Sequence, residues 1–155
     1  MEAYWRIFKF DIHHRESAVE WLPLCLEGQN TIIFDESRRA ECVLSRPDIE
    51  KTKCTEWFEA NKENADSREL TYSDFPTRWV WNAREKKWTR RQKGRTVGRI
   101  YFAHPASGER FYMRMMLNFV KVCTSYQSIR TVNRIEHKTY PQAYYALGLL
   151  DDDKE

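Results

Sequence analysis

Two pairs of residues in this 155-residue chain have types that could do metal or phosphoryl chemistry. His13-His14 lies beside Asp11 and Glu16, a set that could hold a metal ion. Neighbouring side chains on a strand point to opposite faces, so adjacent imidazoles cannot easily grip one ion. A two-histidine nicking nuclease needs His-apolar-His, which this sequence lacks there. The histidines read as exposed or internally satisfied. Tyr140 and Tyr144 stand four apart, the helical spacing of a paired-tyrosine nuclease. A tyrosine attacking a phosphodiester needs a metal to polarise the phosphate, and no metal-ligand spacing accompanies it. With Leu147 these tyrosines read as a packing stripe. Cys25, Cys42, Cys54 and Cys123 show no C-x-x-C spacing and no paired His, so reduced thiols in a reducing compartment are expected rather than zinc. Gly94, Gly98 and Gly108 are isolated, and no phosphate-cradling G-x-x-x-x-G-K-[ST] occurs. The three aspartates at 151–153 read as a solvated tail rather than a magnesium site. No enzyme and no cofactor are expected.

The remaining chemistry is electrostatic and aromatic. Positions 78–99 hold nine Lys and Arg against one acid, Glu85, and three tryptophans lie among them. TRWVWN and KKWTRRQ, joined by AREK, read as a β-hairpin. On its first strand Thr77, Trp79 and Trp81 share one face, with Arg78, Val80 and Asn82 on the other. On the return strand Lys86, Trp88 and Arg90 face one way, and Lys87, Thr89 and Arg91 the other. Single-stranded nucleic acid is held by cations along its backbone and by aromatics under its bases, each stacked base contributing roughly 1–3 kcal/mol. The candidate binding residues are Arg78, Trp79, Trp81, Arg84, Lys86, Lys87, Trp88, Arg90, Arg91, Lys93, Arg95 and Arg99. The alternative is structural: Trp79 and Trp81 as core, and the cations as a solvated outer face.

Composition is that of a globular domain, 41% hydrophobic, 32% charged and 14% aromatic. No apolar run approaches the length of a membrane span. The first residues are interrupted by Arg6 and Lys9, unlike a signal peptide. Glu2, Asp11 and Glu16 weigh against a mitochondrial presequence, so a nuclear or cytoplasmic protein is expected. Charge is divided: residues 1–76 carry 10 Lys+Arg and 16 Asp+Glu, net −6, and residues 77–155 carry 16 and 7, net +9. Either the basic half meets an anionic partner, or the two halves neutralise each other inside one fold.

The elements that would position these residues form a single α+β domain over 1–155, with antiparallel β-hairpins and a few short helices. Residues 3–12 read as a short strand or a helix end. VEWLPLCL (19–26) and TIIF (31–34) read as a hairpin about EGQN, with Pro23 placing the first strand at an edge or bulge. A short helix is expected over 35–45 and a longer one over 48–64, burying Ile49, Thr52, Trp57 and Phe58. ADSREL reads as loop, TYSDFP as a turn and GRTVGRIYFAHP as a third strand. RFYMRMMLNFVKV has helical spacing with a Met-rich core face. Residues 125–138 are ambiguous, and TYPQAYYALGLL reads as a short helix.

Several stretches together resemble a segment of plant Helitron transposases, also described as Pif-type DNA helicases: WRIFKFDIHHRE (5–16), VEWLPLCL (19–26), TEWFEANK (55–62), RELTYSDFPTRWVWN (68–82), KKWTRRQKG (86–94), VGRIYFAHPASGERFYMRMMLNFV (97–120), TSYQSIRTVN (124–133) and YALGLLDDDKE (145–155). The resemblance covers nearly the whole chain, and residues 68–120 and 145–155 carry it most specifically. It implies the region between an upstream two-tyrosine nuclease and a downstream superfamily-one helicase. The family's nuclease residues would precede Met1 and its Walker motifs would follow Glu155, so no catalytic residue carries over. This chain departs from the family at Cys123, where glycine-proline is common, at RIEHKTYPQ (134–142), and at Trp21 and Cys25. Such drift suits a decayed or repurposed fragment. Two functions are therefore expected: a non-catalytic nucleic-acid-binding module, with single-stranded DNA favoured, or a protein-interaction module of a selfish or repurposed element, acting as a toxic or regulatory factor on a host protein. The acidic half and the strip from 111 to 119 are the candidate surfaces for the second. The direction of the indoles separates them. Solvent-facing Trp beside Arg favours nucleic acid, and a buried Trp cluster with an exposed apolar patch elsewhere favours a protein.

Overall fold

A computed structural model describes residues 19–29, 41 and 44–148. Strand β1 (Val19–Leu22) does have the alternation of a half-buried strand, with Leu22 in the core and Val19 and Trp21 exposed. Its described partner comes from the other half of the chain. β1 runs parallel to β4 (Val97–Ile100), with Trp21 opposite Arg99 and Leu22 opposite Ile100. The Tyr101 N–H extends the ladder to the Leu22 carbonyl at 3.0 Å. Residues 31–34, expected to pair with β1, lie outside the described residues, as do 3–12 and most of 35–45. Pro23 falls just past the strand, where its missing N–H costs the ladder nothing.

Helix α1 (Lys53–Glu63) starts later than its pattern suggests. Thr52 takes the N-cap and forms a reciprocal box with Thr55: its hydroxyl accepts from the Thr55 N–H at 3.1 Å, and Thr55 Oγ1 accepts from the Thr52 N–H at 2.8 Å. Residues 47–50 form turns instead. The buried face is Cys54, Trp57, Phe58, Ala60 and Asn61. Asn61 is a polar member of that face, and its Nδ2 donates to the Cys123 carbonyl at 2.8 Å. Burial pushes the Cys123 thiol up to about 12 and raises Cys54 further, so both stay protonated.

The expected loop and turn become 3-10 turns at Asp66–Glu69 and Phe75–Thr77. They lead into β2 (Trp79–Asn82) and β3 (Lys87–Arg90), the antiparallel hairpin read from the sequence. After β4 and a 3-10 turn at Pro105–Ser107 comes α2 (Glu109–Met116), whose Met113 and Met116 are fully buried. The ambiguous 125–138 holds one helical turn, α3 (Tyr126–Ile129), and a minute hairpin of β5 (Thr131–Val132) and β6 (Ile135–Glu136). Asn133 and Arg134 join those strands, both at positive φ, as a tight two-residue hairpin loop requires. In α4 (Tyr140–Ala146), Tyr140 and Tyr144 are buried, which makes them the packing stripe expected of them. Tyr140 also donates its backbone N–H to Glu109 Oε2 on α2 at 2.9 Å.

The fold is α+β. One apolar cluster draws on both halves of the chain, with Leu22, Trp57, Tyr72, Phe75, Met113, Leu117 and Ile129 fully enclosed. No helix among the described residues is long and apolar enough to cross a membrane.

Candidate nucleic-acid interface

The basic hairpin closes on an Asx turn. Asn82 Oδ1 accepts from the backbone N–H groups of Arg84 and Glu85 at 3.1 and 3.2 Å, and Lys86 takes a left-handed conformation. Trp79 pairs with Arg90, and Trp81 with Trp88. The indole face turns inward. Trp79 stacks on Phe75 at 5.2 Å with planes 5° apart, and Trp88 meets Phe75 edge-on at 5.1 Å. Trp88 Nε1 donates to the Lys53 carbonyl at 2.9 Å, fastening the hairpin to α1. Trp81 is half-buried against Trp88. Trp79 and Trp88 were expected as platforms for bases, and their burial overturns that expectation. A two-stranded ribbon has no core of its own, so its large apolar face must cover α1 and the Phe75 turn.

Most of the hairpin cations are also engaged. Arg78 pairs with Glu69 at 3.5 Å, Lys86 with Asp48 at 3.5 Å, Lys87 with Glu63 at 3.9 Å, and Arg90 with Asp66 while lying over the Trp79 ring. All four acids belong to the acidic half. The division of charge along the chain is thus partly an internal neutralisation. These pairs are largely exposed, and such pairs contribute about 0–1 kcal/mol each. Arg91 donates to the carbonyls of Pro76 and Trp79 at 3.1 and 3.5 Å and forms no ion pair with a described acid. Arg84, Lys93, Arg95 and Arg99 have no ion pair among the described residues.

Arg91, Lys93 and Arg95 converge, whereas Arg84 sits at the opposite, closed end of the hairpin. Two depressions, of about 340 and 450 Å³, share Thr77, Arg78 and Gly94. The first adds Arg90, Arg91 and Lys93, and the second adds Arg95. Against these cations stand Asp66 in the first and Asp74 in the second. Gly94 has φ of 75°, a turn that swings the loop between Arg91 and β4 around the groove.

One exposed aromatic group escaped the sequence reading. The outer face of the β1–β4 pair carries Val19, Trp21, Val97 and Arg99, and Tyr101 continues it. Trp21 and Tyr101 stack across the strands at 5.7 Å, 12° from parallel, and are 53% and 49% exposed. Phe102 follows at 75% exposed. The signal was the alternation in VEWL and VGRIY, which puts Leu22, Gly98 and Ile100 inward and these residues outward.

Elsewhere, Phe111 and Met115 pack against the core and Met113 and Met116 lie inside it, so the candidate surface from 111 to 119 is mostly internal, with Phe119 exposed at its end. Among the described residues no group of three His, Cys, Asp or Glu is placed to hold a metal ion. No protein-family model matches the chain, and no curated protein matches it.

Proposed function

We propose that this chain is a non-catalytic nucleic-acid-binding module, derived from the region between the nuclease and the helicase of plant Helitron transposases, which holds single-stranded DNA by its phosphates. The observation that carries the reading is the convergence of Arg91, Lys93 and Arg95, none paired with a described acid, around Gly94, with Arg99 unpaired on the strand that follows. Phosphate contacts of this kind are sequence-independent and weaken steeply with salt.

The test is fluorescence anisotropy with labelled single-stranded and duplex DNA at two salt concentrations. Wild type should bind the single strand at low salt and release it as salt rises. Replacing Lys93, Arg95 and Arg99 together by Ala should abolish binding. Replacing Lys86 and Lys87, which have carboxylate partners, should change it only a few-fold. Absence of binding at low salt by a folded sample would retire the proposal.

A second reading has its own support. The indole cluster of Trp57, Trp79 and Trp88 is buried, while Phe119 and Val122 are exposed on a separate surface. That combination favours a host-protein partner, in keeping with a toxic or regulatory role. Under this reading Phe119→Ser with Val122→Ser abolishes capture of a host protein and leaves the fold unchanged by circular dichroism.

A further inference from the structure

We propose that the outer face of the β1–β4 pair, formed by Trp21 and Tyr101 beside Arg99, is a stacking platform for unpaired nucleic-acid bases. This rests on the nucleic-acid reading above and supplies the aromatic component that the hairpin cannot. Trp21 and Tyr101 form a nearly parallel pair at 5.7 Å, and each is about half exposed. A large aromatic pair left in water with an open face is costly unless something covers it. A base continues such a stack without any requirement for sequence, because every base has a π-face.

Charge decides the occupant. Arg99 lies opposite Trp21 on the same face and has no described ion pair. Arg114 Nε donates to the Tyr101 carbonyl at 3.1 Å, and Lys53 Nζ donates to the Trp21 carbonyl at 2.8 Å. The acid of β1, Glu20, points to the other side of the strand and is bound by Lys53. Two unpaired cations, Arg99 and Arg114, therefore lie by the rings, and among the described residues of the two strands no carboxylate shares their face. The platform follows the cationic groove directly along the chain. Four residue steps lead from Arg95 at the groove to Arg99 at the rings, about 13 Å if extended. A strand whose phosphates follow Arg91, Lys93 and Arg95 is thus delivered to Arg99 with its bases at Trp21 and Tyr101.

The test compares a labelled oligothymidine with an abasic strand of equal length, which keeps the phosphates and lacks the bases. Wild type should bind the thymidine strand roughly tenfold or more tightly than the abasic one. Trp21→Ala with Tyr101→Ala should reduce thymidine affinity to the abasic level and leave abasic binding unchanged. Trp21→Phe with Tyr101→Phe should restore most of the difference. Quenching of tryptophan fluorescence by the thymidine strand should shrink in Trp21→Phe alone. Equal affinity of wild type for both strands, or equal loss of both in the alanine variant, would overturn the platform and leave the groove standing. Binding of neither strand by folded wild type would overturn both proposals.

Discussion

At Gly98 the reason for a residue type can be read directly. A Cβ there would lie 2.2 Å from the Ser73 carbonyl oxygen and 2.9 Å from a Leu22 methyl. Gly98→Ala must push β4 away from the 72–76 segment, and we expect a loss of about 1–3 kcal/mol in urea unfolding. The sequence shows Gly98 only as a break in a strand, since no local pattern reveals a carbonyl arriving from 25 residues upstream. Glu56 offers a test by pH. Burial is the leading influence lifting its carboxyl above the ordinary value, with Lys51 opposing and Glu59 reinforcing. The folded state therefore binds that proton more tightly than the unfolded chain does. The resulting stability is present below the unfolded pKa and is lost as pH rises through the folded one. Glu56→Gln should melt higher than wild type at about pH 7, and the difference should shrink by about pH 4. Thermal melts at the two pH values decide this, and an unchanged difference would count against it.

The elements divide by how local their causes are. The β2–β3 hairpin was legible because its turn chemistry and alternation are both local. The α4 stripe was legible because Tyr140, Tyr144 and Leu147 repeat at helical spacing. The start of α1 was not, because Pro47-Asp48 is also a reasonable opening and only the Thr52–Thr55 box distinguishes the two. Thr52→Ala removes one side of that box and should cost about 1 kcal/mol, read as a lower urea midpoint with an unchanged slope. The parallel β1–β4 pairing was invisible for a stronger reason. Its strands are far apart in sequence, and the hydrophobic pattern of β1 states which face is buried without naming the partner. The same limit hid the candidate site. Alternation put Trp79 and Trp81 on one face of the first strand, and whether that face meets water or core depends on α1 and Phe75. The true exposed rings, Trp21 and Tyr101, meet only across the pairing that could not be read.

Across the whole molecule, the acids of residues 48–69 lie against the cations of residues 78–90 in four pairs. The net charges of the two halves were legible, and mutual neutralisation was one of the two readings they allowed; which acid meets which cation was not legible, because it depends on α1 and the Asp66–Glu69 turn packing beside the hairpin. Removing Asp66 and Glu69 by Asp66→Asn and Glu69→Gln frees Arg90 and Arg78 beside the groove. Binding of single-stranded DNA should then tighten, which anisotropy at fixed salt would detect. The pairing also has a thermodynamic signature. A cation that already holds a carboxylate exchanges one fixed anion for another when a phosphate arrives, and it sets few small ions free. Of the unpaired cations, Arg91, Lys93, Arg95 and Arg99 lie on the proposed path and would release bound salt, while Arg84 stands at the far end of the hairpin. The slope of log K against log salt should therefore be about −3, not the roughly −6 that all nine cations would give. In this respect the protein carries its own counterions, built into the acidic half of its sequence.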